Sequence, residues 1–425
     1  MDNTLNEQTE ARSGADRAFF IYQRLVALFL LLLMAATYPL WIDLTSFPAV
    51  PVWSFLRDVP PLADQILAGG LVLVAATLLI AGPQGKFASR LWLTLAGILL
   101  LTFLLNQHRF QPWAYQVAVL SCFFGLVPGS LARRLTMAVA LSVYFFSAVS
   151  KLNASFVNEL GNDFLATLSS QVGMAWRPDL WSSDKWFALV FPAFELIAFV
   201  LLSIPRTRKL GVVAACAMHI GLIVVLGPLG LSHSWGVLLW NVFFFAQAIL
   251  LFWFPARIEE PSTETASPWR IRSAIAICGA VILFPLSELA GIGDPWPAWG
   301  LYASHVGRTY LFVPRHVLGS LPEEMQAYVD EQSSEDWFVP ILLDRWSLQT
   351  TGAPIYPGER FAFAAARSFA VKTKTVNFAR LVIESPADRF SDEREAEAFA
   401  GDQISKEAQR FWLNTEPRRA YLRGN

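Results

Sequence analysis

Long apolar stretches separated by short polar segments dominate the first two thirds of the chain. A helix of roughly 20 apolar residues crosses the hydrocarbon core of a bilayer. The pattern therefore predicts an all-α polytopic membrane bundle of about nine transmembrane helices within residues 25–290, preceded by a polar tail at residues 1–24. The predicted spans are residues 25–42, 62–82, 91–106, 112–128, 132–150, 186–204, 211–228, 236–255 and 271–288.

The pattern changes after about Gly291, where charged residues become frequent. Residues 292–425 contain 33 charged positions in 134, which is typical of a soluble domain. Three short apolar runs predict strands: "TYLFV", "WFVPILL" and "NFARLVIES". The segment "SDEREAEAFAGDQISKEAQRFWL" predicts a closing helix capped by Ser391 or Asp392. We therefore expect a small C-terminal α+β domain at residues 292–425.

Composition supports a bilayer as the main partner of this chain. Hydrophobic residues make up 54% of the sequence and charged residues 16%, with a net charge of −1. This balance gives no reason to expect a nucleic-acid partner. The three cysteines, Cys122, Cys216 and Cys278, all lie in apolar stretches, so no disulfide framework is predicted.

Basic residues are distributed unequally between the two sides of the predicted bundle. With nine spans, the side of the N-terminus would carry thirteen of them and the opposite side five. Cytoplasmic loops are enriched in lysine and arginine, so the N-terminus is predicted in the cytoplasm of a plasma-membrane protein and residues 292–425 outside it. The thirteen are Arg12, Arg17, Arg24, Lys86, Arg90, Arg133, Arg134, Arg206, Arg208, Lys209, Arg257, Arg270 and Arg272, and the five are Arg57, Arg109, Lys151, Arg177 and Lys185.

Lys151 ends the apolar segment "VYFFSAVSKLNASF" on the predicted outer side, where basic residues are scarce. One interpretation is an anchor whose ammonium reaches the lipid headgroups. The other is a catalytic base, because burial makes a lysine lose its proton more easily. The loop that follows, residues 151–185, is long and partly apolar, and could form a lid or a pocket wall.

Asn106 and His108 lie in "LLNQHRF" at the outer end of the third predicted span. A histidine at a membrane interface can simply bind water or headgroups. His108 is nevertheless a candidate site residue because it shares the predicted outer face with Lys151. Asn106 beside it is a candidate pocket residue.

Glu195 and His219 lie near the middle of consecutive predicted spans, at similar depth. A charged glutamate there needs a partner or must be neutralised. We therefore expect a hydrogen bond or ion pair between them, acting either as structural glue or as a proton relay and pocket floor. His108, His219 and His233 lack metal-ligand spacing, so no metal site is predicted.

At these same residues the sequence resembles the vitamin K-dependent gamma-carboxylases and the related bacterial horizontally transferred transmembrane (HTTM) domains. "YFFSAVSKLNASF" is similar to the lysine segment of that family, and "NQHRF" to its Asn/His segment. "FELIAFVLL", "AMHIGLIVVLG" and "WGLYASHVGRTYLFV" resemble the acidic helix, the histidine helix and the start of the lumenal part. The similarity covers roughly residues 15–315.

The resemblance implies a chemistry for these positions. In the carboxylases a lysine at the position of Lys151 deprotonates reduced vitamin K, oxygen converts the vitamin into an epoxide and a strong base, and a glutamate side chain is carboxylated. A histidine at the position of His108 stabilises charge. The resemblance thus implies a reduced quinone or vitamin K-like cofactor, and at most a carboxylase-like or epoxidase-like activity.

The chain also departs from the family. Phe156 and Gly161 replace its tryptophan-then-glycine signature, and Ala303, Ser304 and His305 replace a Ser-Trp-Asp motif. We therefore predict action on a lipophilic, quinone-like small molecule at the outer face rather than carboxylation of proteins. The alternative is a non-catalytic membrane scaffold whose C-terminal domain binds an envelope protein.

Overall fold

The structure is a computed structural model that describes residues 2–174, 184–254, 266–330 and 337–423, with side chains from residue 14 to residue 422. Helices dominate it up to about residue 290, as the apolar pattern predicts. The first thirteen are α1 (Asp2–Ala36), α2 (Tyr38–Ile42), α3 (Pro61–Ala81), α4 (Lys86–Leu105), α5 (Pro112–Leu126), α6 (Gly129–Val149), α7 (Ala154–Asn158), α8 (Leu160–Gln171), α9 (Val190–Ser203), α10 (Arg208–Leu226), α11 (Trp235–Ala248), α12 (Pro268–Leu283) and α13 (Pro285–Leu289).

Eight helical segments of the described residues are long and apolar enough to cross a membrane, which makes this a multi-pass membrane protein. They are Gly14–Ala36, Pro61–Ala81, Lys86–Leu105, Gly129–Val149, Asp184–Ser203, Arg208–Leu226, Trp235–Trp253 and Pro268–Leu289. The remaining predicted span, residues 112–128, corresponds to α5. With 15 residues, α5 is only about 22 Å long, and its side chains are buried on nearly all sides.

Helices α9 and α10 form a tight hairpin. A side-chain Cβ placed on Gly211 would lie 2.6 Å from the backbone nitrogen of Leu202 and 2.8 Å from the carbonyl carbon of Leu201. Only a residue without a side chain allows the two backbones to approach this closely. Gly211 therefore sets the distance between the helices that carry Glu195 and His219.

The chain divides into two compact units. The helical unit consists of Met1–Ala35, Gly70–Leu99 and Pro112–Ser304. The mixed unit consists of Ala36–Gly69, Leu100–Gln111 and His305–Asn425. The chain before α3 with the start of that helix, and the end of α4 with the turn after it, therefore belong with the C-terminal residues.

A four-stranded antiparallel sheet is the centre of the mixed unit. Its strands are β1 (Arg308–Pro314), β2 (Phe338–Ile341), β3 (Arg380–Glu384) and β4 (Ala396–Ala400), in the order β2-β1-β3-β4. Leu311 on β1 is paired with Ile341 on β2 and with Leu381 on β3, and all three side chains are buried. The sequence prediction of the first three strands is confirmed.

Five further helices complete the mixed unit. Among them α16 packs on β1, and its buried side chains include Phe361, Phe363 and Phe369. They are α14 (Glu323–Gln326), α15 (Leu343–Thr351), α16 (Glu359–Lys372), α17 (Asp402–Glu407) and α18 (Arg419–Arg423).

The predicted closing helix from Ser391 is wrong over its first half. Residues 396–400 form the edge strand β4, paired with β3 from Arg380↔Ala400 to Glu384↔Ala396. Gly401 follows with a φ of +53°, a conformation that interrupts a helix, and only the short α17 comes after it. The free edge of β3 offers backbone hydrogen bonds that a local helical pattern does not reveal.

The predicted loop after Lys151 contains two short helices, α7 and α8. Phe156 and Phe164 on them are buried and pack edge to face with ring centroids 6.4 Å apart. Residues 175–183, which include Arg177 of the predicted outer set, lie outside the described residues, as does Arg257 of the inner set.

Candidate functional site

The ammonium of Lys151 is enclosed by hydrogen-bond acceptors in the helical unit. Its Nζ lies 2.9 Å from the Ser147 carbonyl oxygen and 2.6 Å from the Ser147 Oγ. It also lies 3.1 and 3.2 Å from the two carboxylate oxygens of Glu195. Only 3% of Lys151 is exposed. Its environment is therefore that of a buried, paired lysine rather than of an anchor reaching headgroups.

Helical spacing explains why these groups meet. Tyr144, Ser147 and Lys151 are separated by three and four residues at the end of α6, so they share one face of that helix. Helix α9 packs on α6 and carries Glu195. Backbone hydrogen bonds from Ser150 and Lys151 to Phe146 and Ala148 continue the helical turn past its last residue.

The electrostatics of Lys151 are set by two opposing effects. Burial lowers its pKa below the ordinary value, and the neighbouring Glu195 carboxylate raises it by attraction and hydrogen bonding. The first effect is the larger, because removing an ammonium from water disfavours its charged form. The lowered pKa makes loss of the ammonium proton easier, and the amine that results is able to accept a proton.

A second polar group lies on the same face of α6. The Tyr144 hydroxyl is 3.0 Å from His219 Nε2, and His219 Nδ1 is 3.1 Å from Asn241 Oδ1. The Asn241 amide nitrogen donates to the Val237 carbonyl at 3.0 Å, which directs its oxygen towards the histidine. Because that oxygen can only accept, Nδ1 carries the proton, and Tyr144 donates to Nε2.

The structure therefore corrects the expected partnership of Glu195 and His219. Glu195 binds Lys151, whereas His219 binds Tyr144 and Asn241. The similar depth of the two residues on neighbouring helices predicts a mutual pair. Instead, α6 and the turn after it supply a separate partner for each.

His108 lies in the mixed unit and is fully buried. Its Nε2 is 2.9 Å from the Pro354 carbonyl oxygen and 3.3 Å from the Ser347 hydroxyl. A carbonyl can only accept, so Nε2 carries the proton. The rings of Phe47 and Phe361 lie with their centroids 5.2 Å from the imidazole.

The His108 imidazole is held in its neutral form. Burial lowers its pKa to about 4, helped by the charge of Arg109 and opposed by the hydrogen bond to Pro354. Among the described residues, no group accepts or donates a hydrogen bond at Nδ1. Asn106 shapes this turn, since its Oδ1 accepts from the backbone nitrogen of His108 at 3.1 Å.

The predicted site residues thus fall into two groups. Lys151, Glu195 and His219 belong to the helical unit, and Asn106 and His108 to the mixed unit. The described hydrogen-bond partners of each group come from its own unit.

Sequence reasoning missed Tyr144, Ser147 and Asn241, which complete the polar groups of the helical unit. The signal for the first two was present, because both precede Lys151 at helical spacing in an otherwise apolar segment. Asn241 gave no comparable signal, since α11 carries no ionisable residue.

Sequence reasoning also missed a buried charge cluster in the mixed unit. Arg109 Nη1 lies 2.5 Å from Asp64 Oδ1, and Arg418 binds the other oxygen of the same carboxylate. All three side chains are inaccessible to solvent. One carboxylate therefore serves two guanidinium groups.

Within the ranges that the structure describes, no group of three or more histidine, cysteine, aspartate or glutamate side chains could hold a metal ion. Comparison of the chain with protein-family models, with curated proteins and with solved structures finds no match.

Proposed function

We propose that this multi-pass membrane protein is an enzyme that removes a proton from a lipophilic, quinone-like substrate, with Lys151 as the base. The observation that carries the proposal is the contact of Lys151 Nζ with both carboxylate oxygens of Glu195, next to the end of a membrane-spanning helix. Ionisable groups inside a membrane protein are costly, and they mark functional positions more often than other residues do.

The proposed step is a simple proton transfer. A neutral Lys151 amine takes the proton of a hydroquinone hydroxyl, so an O–H bond breaks and an N–H bond forms. The products are a hydroquinone anion and a lysine ammonium. The Glu195 carboxylate stabilises that ammonium, and the Ser147 hydroxyl holds the amine in place.

The resemblance to the carboxylase-like HTTM family supports the choice of substrate class. The excess of basic residues on one side supports a plasma-membrane location with a cytoplasmic N-terminus. With α5 as a ninth crossing, residues 292–425 would then lie outside the cell. Asn106 and His108 stay predicted site residues of the mixed unit, without a role in this proton transfer. The described contacts of His108 are those of a neutral histidine in a protein core.

The test is a comparison of quinone conversion by purified variants. The full chain is purified in detergent and mixed with reduced menaquinone under oxygen. The added oxygen takes two electrons from the hydroquinone anion and is reduced to hydrogen peroxide, so the rate of quinone formation above that without protein, followed by chromatography, reports the deprotonation. We expect conversion by the wild type, and a loss of at least about a hundredfold in Lys151→Ala, the size of a general-base contribution.

Lys185→Ala is the matched control, because Lys185 is a half-buried lysine of the same region that donates to Asn158 Oδ1 at 3.0 Å. The proposal is contradicted if Lys151→Ala converts the quinone as fast as the Lys185 control. It is also contradicted if the wild type neither binds nor converts a quinone.

A second candidate function is a scaffold whose mixed unit binds an envelope protein. It is favoured by the exposure of large aromatic side chains on that unit, including Trp337 and Phe390. Deleting residues 292–425 is not a clean test, because residues 36–69 and 100–111 belong to the same unit. Substituting Trp337 and Phe390 by serine should abolish the function of a scaffold and leave that of an enzyme intact.

A further inference from the structure

A cleft of about 450 Å³ opens on the surface of the mixed unit. One wall comes from the segment before α3, with Trp53 and Phe55, and the other from the C-terminal residues around Trp412. The Trp53 and Phe55 rings are stacked, with centroids 5.7 Å apart and planes 12° from parallel.

The aromatic side chains of this cleft are strongly exposed. Trp412 is 93% exposed and Phe55 72% exposed, and Trp53 is also exposed. Three large aromatic side chains around one opening form a surface that water solvates poorly. A ligand with an apolar part would cover it.

A guanidinium group lines the cleft, and a second one lies behind it on the same carboxylate. Arg367 lines the cleft, and its Nη1 lies 3.4 Å from Glu416 Oε1. Arg57 binds the other oxygen of the same carboxylate. Two guanidinium groups therefore share one carboxylate, which leaves one net positive charge and favours an anionic group such as a phosphate.

The aromatic wall is continuous with a helix surface suited to lipid. Phe55 lies six residues before the start of α3, and the first turns of α3 expose Leu62 and Ile66 by 59% and 64%. Tryptophan and other aromatic residues concentrate where a membrane span meets the headgroups. A guanidinium group at that level binds the phosphate of a headgroup by charge-assisted hydrogen bonds.

We infer that this cleft is a phospholipid-binding site of the mixed unit. The aromatic side chains Trp53, Phe55 and Trp412 contact the acyl region of one lipid, and the guanidinium group of Arg367 binds its anionic headgroup. This inference does not depend on the proton-transfer proposal, since it involves none of the same residues.

The first test locates Trp412 relative to the bilayer. Trp412→Cys is labelled with an environment-sensitive fluorophore, and the full chain is placed in nanodiscs that contain brominated phosphatidylglycerol. We expect quenching of the label by the brominated chains. Phe390→Cys is the control, because Phe390 is 89% exposed on the same unit but does not line the cleft.

The second test measures headgroup selectivity. Native mass spectrometry compares the retention of phosphatidylglycerol with that of phosphatidylcholine by wild type and Arg367→Gln. Loss of one arginine contact should weaken retention of the anionic lipid roughly fivefold. Arg367→Lys keeps the charge and should retain most of the preference, which separates a lipid contact from damage to the fold.

Two results would overturn the inference. One is a label at residue 412 that brominated lipids quench no more than the label at residue 390. The other is an unchanged ratio of anionic to zwitterionic lipid in Arg367→Gln, with the variant eluting as a folded protein in size-exclusion chromatography.

Discussion

Lys151 Nζ lies 3.1 and 3.2 Å from the carboxylate oxygens of Glu195, which ties the end of α6 to the middle of α9. Both side chains are nearly inaccessible to solvent. A buried pair of this kind adds little net stability as a unit, yet removing one partner leaves the other charge uncompensated. Replacing either residue alone should therefore lower the stability of the protein, whereas replacing both residues together should change it little.

We predict that Lys151→Met lowers the free energy of unfolding by about 3–5 kcal/mol, because it strands the Glu195 carboxylate. The double variant Lys151→Met/Glu195→Leu should recover most of that loss. Thermal unfolding in detergent measures both, with Lys185→Met as the control, since Lys185 is only half-buried. Additive effects of the two single substitutions would show that the pair is not coupled.

His108 should make stability depend on pH. Its pKa is about 4 when folded and near 6.5 when unfolded, so between these values the unfolded chain binds more protons. The free energy of unfolding therefore has its full value above pH 6.5 and falls as the pH drops from 6.5 to 4. Below pH 4 it is lower by roughly 3 kcal/mol. His108→Phe should flatten this part of the profile, as measured by denaturant unfolding from pH 4 to pH 8.

Equal slopes for His108→Phe and wild type would contradict the assignment of this pH dependence to His108. His316→Phe is the control substitution, because His316 is an exposed histidine of the same unit and lies near Phe378.

The hydrogen-bond direction around His219 predicts its tautomer. Nδ1 should carry the proton and Nε2 should be unprotonated, which nitrogen-15 NMR of labelled histidine distinguishes. Tyr144→Phe removes the donor to Nε2 and leaves a buried acceptor without its partner, at a cost of about 1–3 kcal/mol. A spectrum with Nε2 protonated in the wild type would contradict the assignment of Asn241 as acceptor.

Asp64 should be the most sensitive member of the buried charge cluster. Asp64→Asn leaves both Arg109 and Arg418 without a counter-charge and should destabilise the protein by about 3–5 kcal/mol. Arg419→Gln is the matched control, since its ion pair with Asp58 is exposed on both sides and should change stability by less than about 1 kcal/mol. Similar melting temperatures for the two variants would contradict this account.

The hairpin of α9 and α10 offers a test of close packing. Gly211→Ala would place a methyl group against the backbone of Leu201 and Leu202, so we expect a loss of about 1–3 kcal/mol. Gly221→Ala on the same helix has nothing within 4 Å of the added Cβ and should leave the melting temperature unchanged or slightly raised. Equal effects of the two substitutions would show that the contact at Gly211 is unimportant.

The sequence by itself determined the apolar helices and three of the four strands. Both follow from local rules, because the length of an apolar run matches the thickness of a bilayer, and short β-branched and aromatic runs favour strands. It also singled out Lys151, Glu195 and His219, since an ionisable group in an apolar segment is visible without any structure.

Only the tertiary structure decided which of these groups meet. The partner of Lys151 lies 44 residues away and that of His108 is 246 residues away, and no local pattern encodes such contacts. The same holds for β4, whose strand conformation depends on the free edge of β3. Pairing across the chain is set by how helices and strands pack, because a buried polar group binds whichever complementary group the packing places beside it.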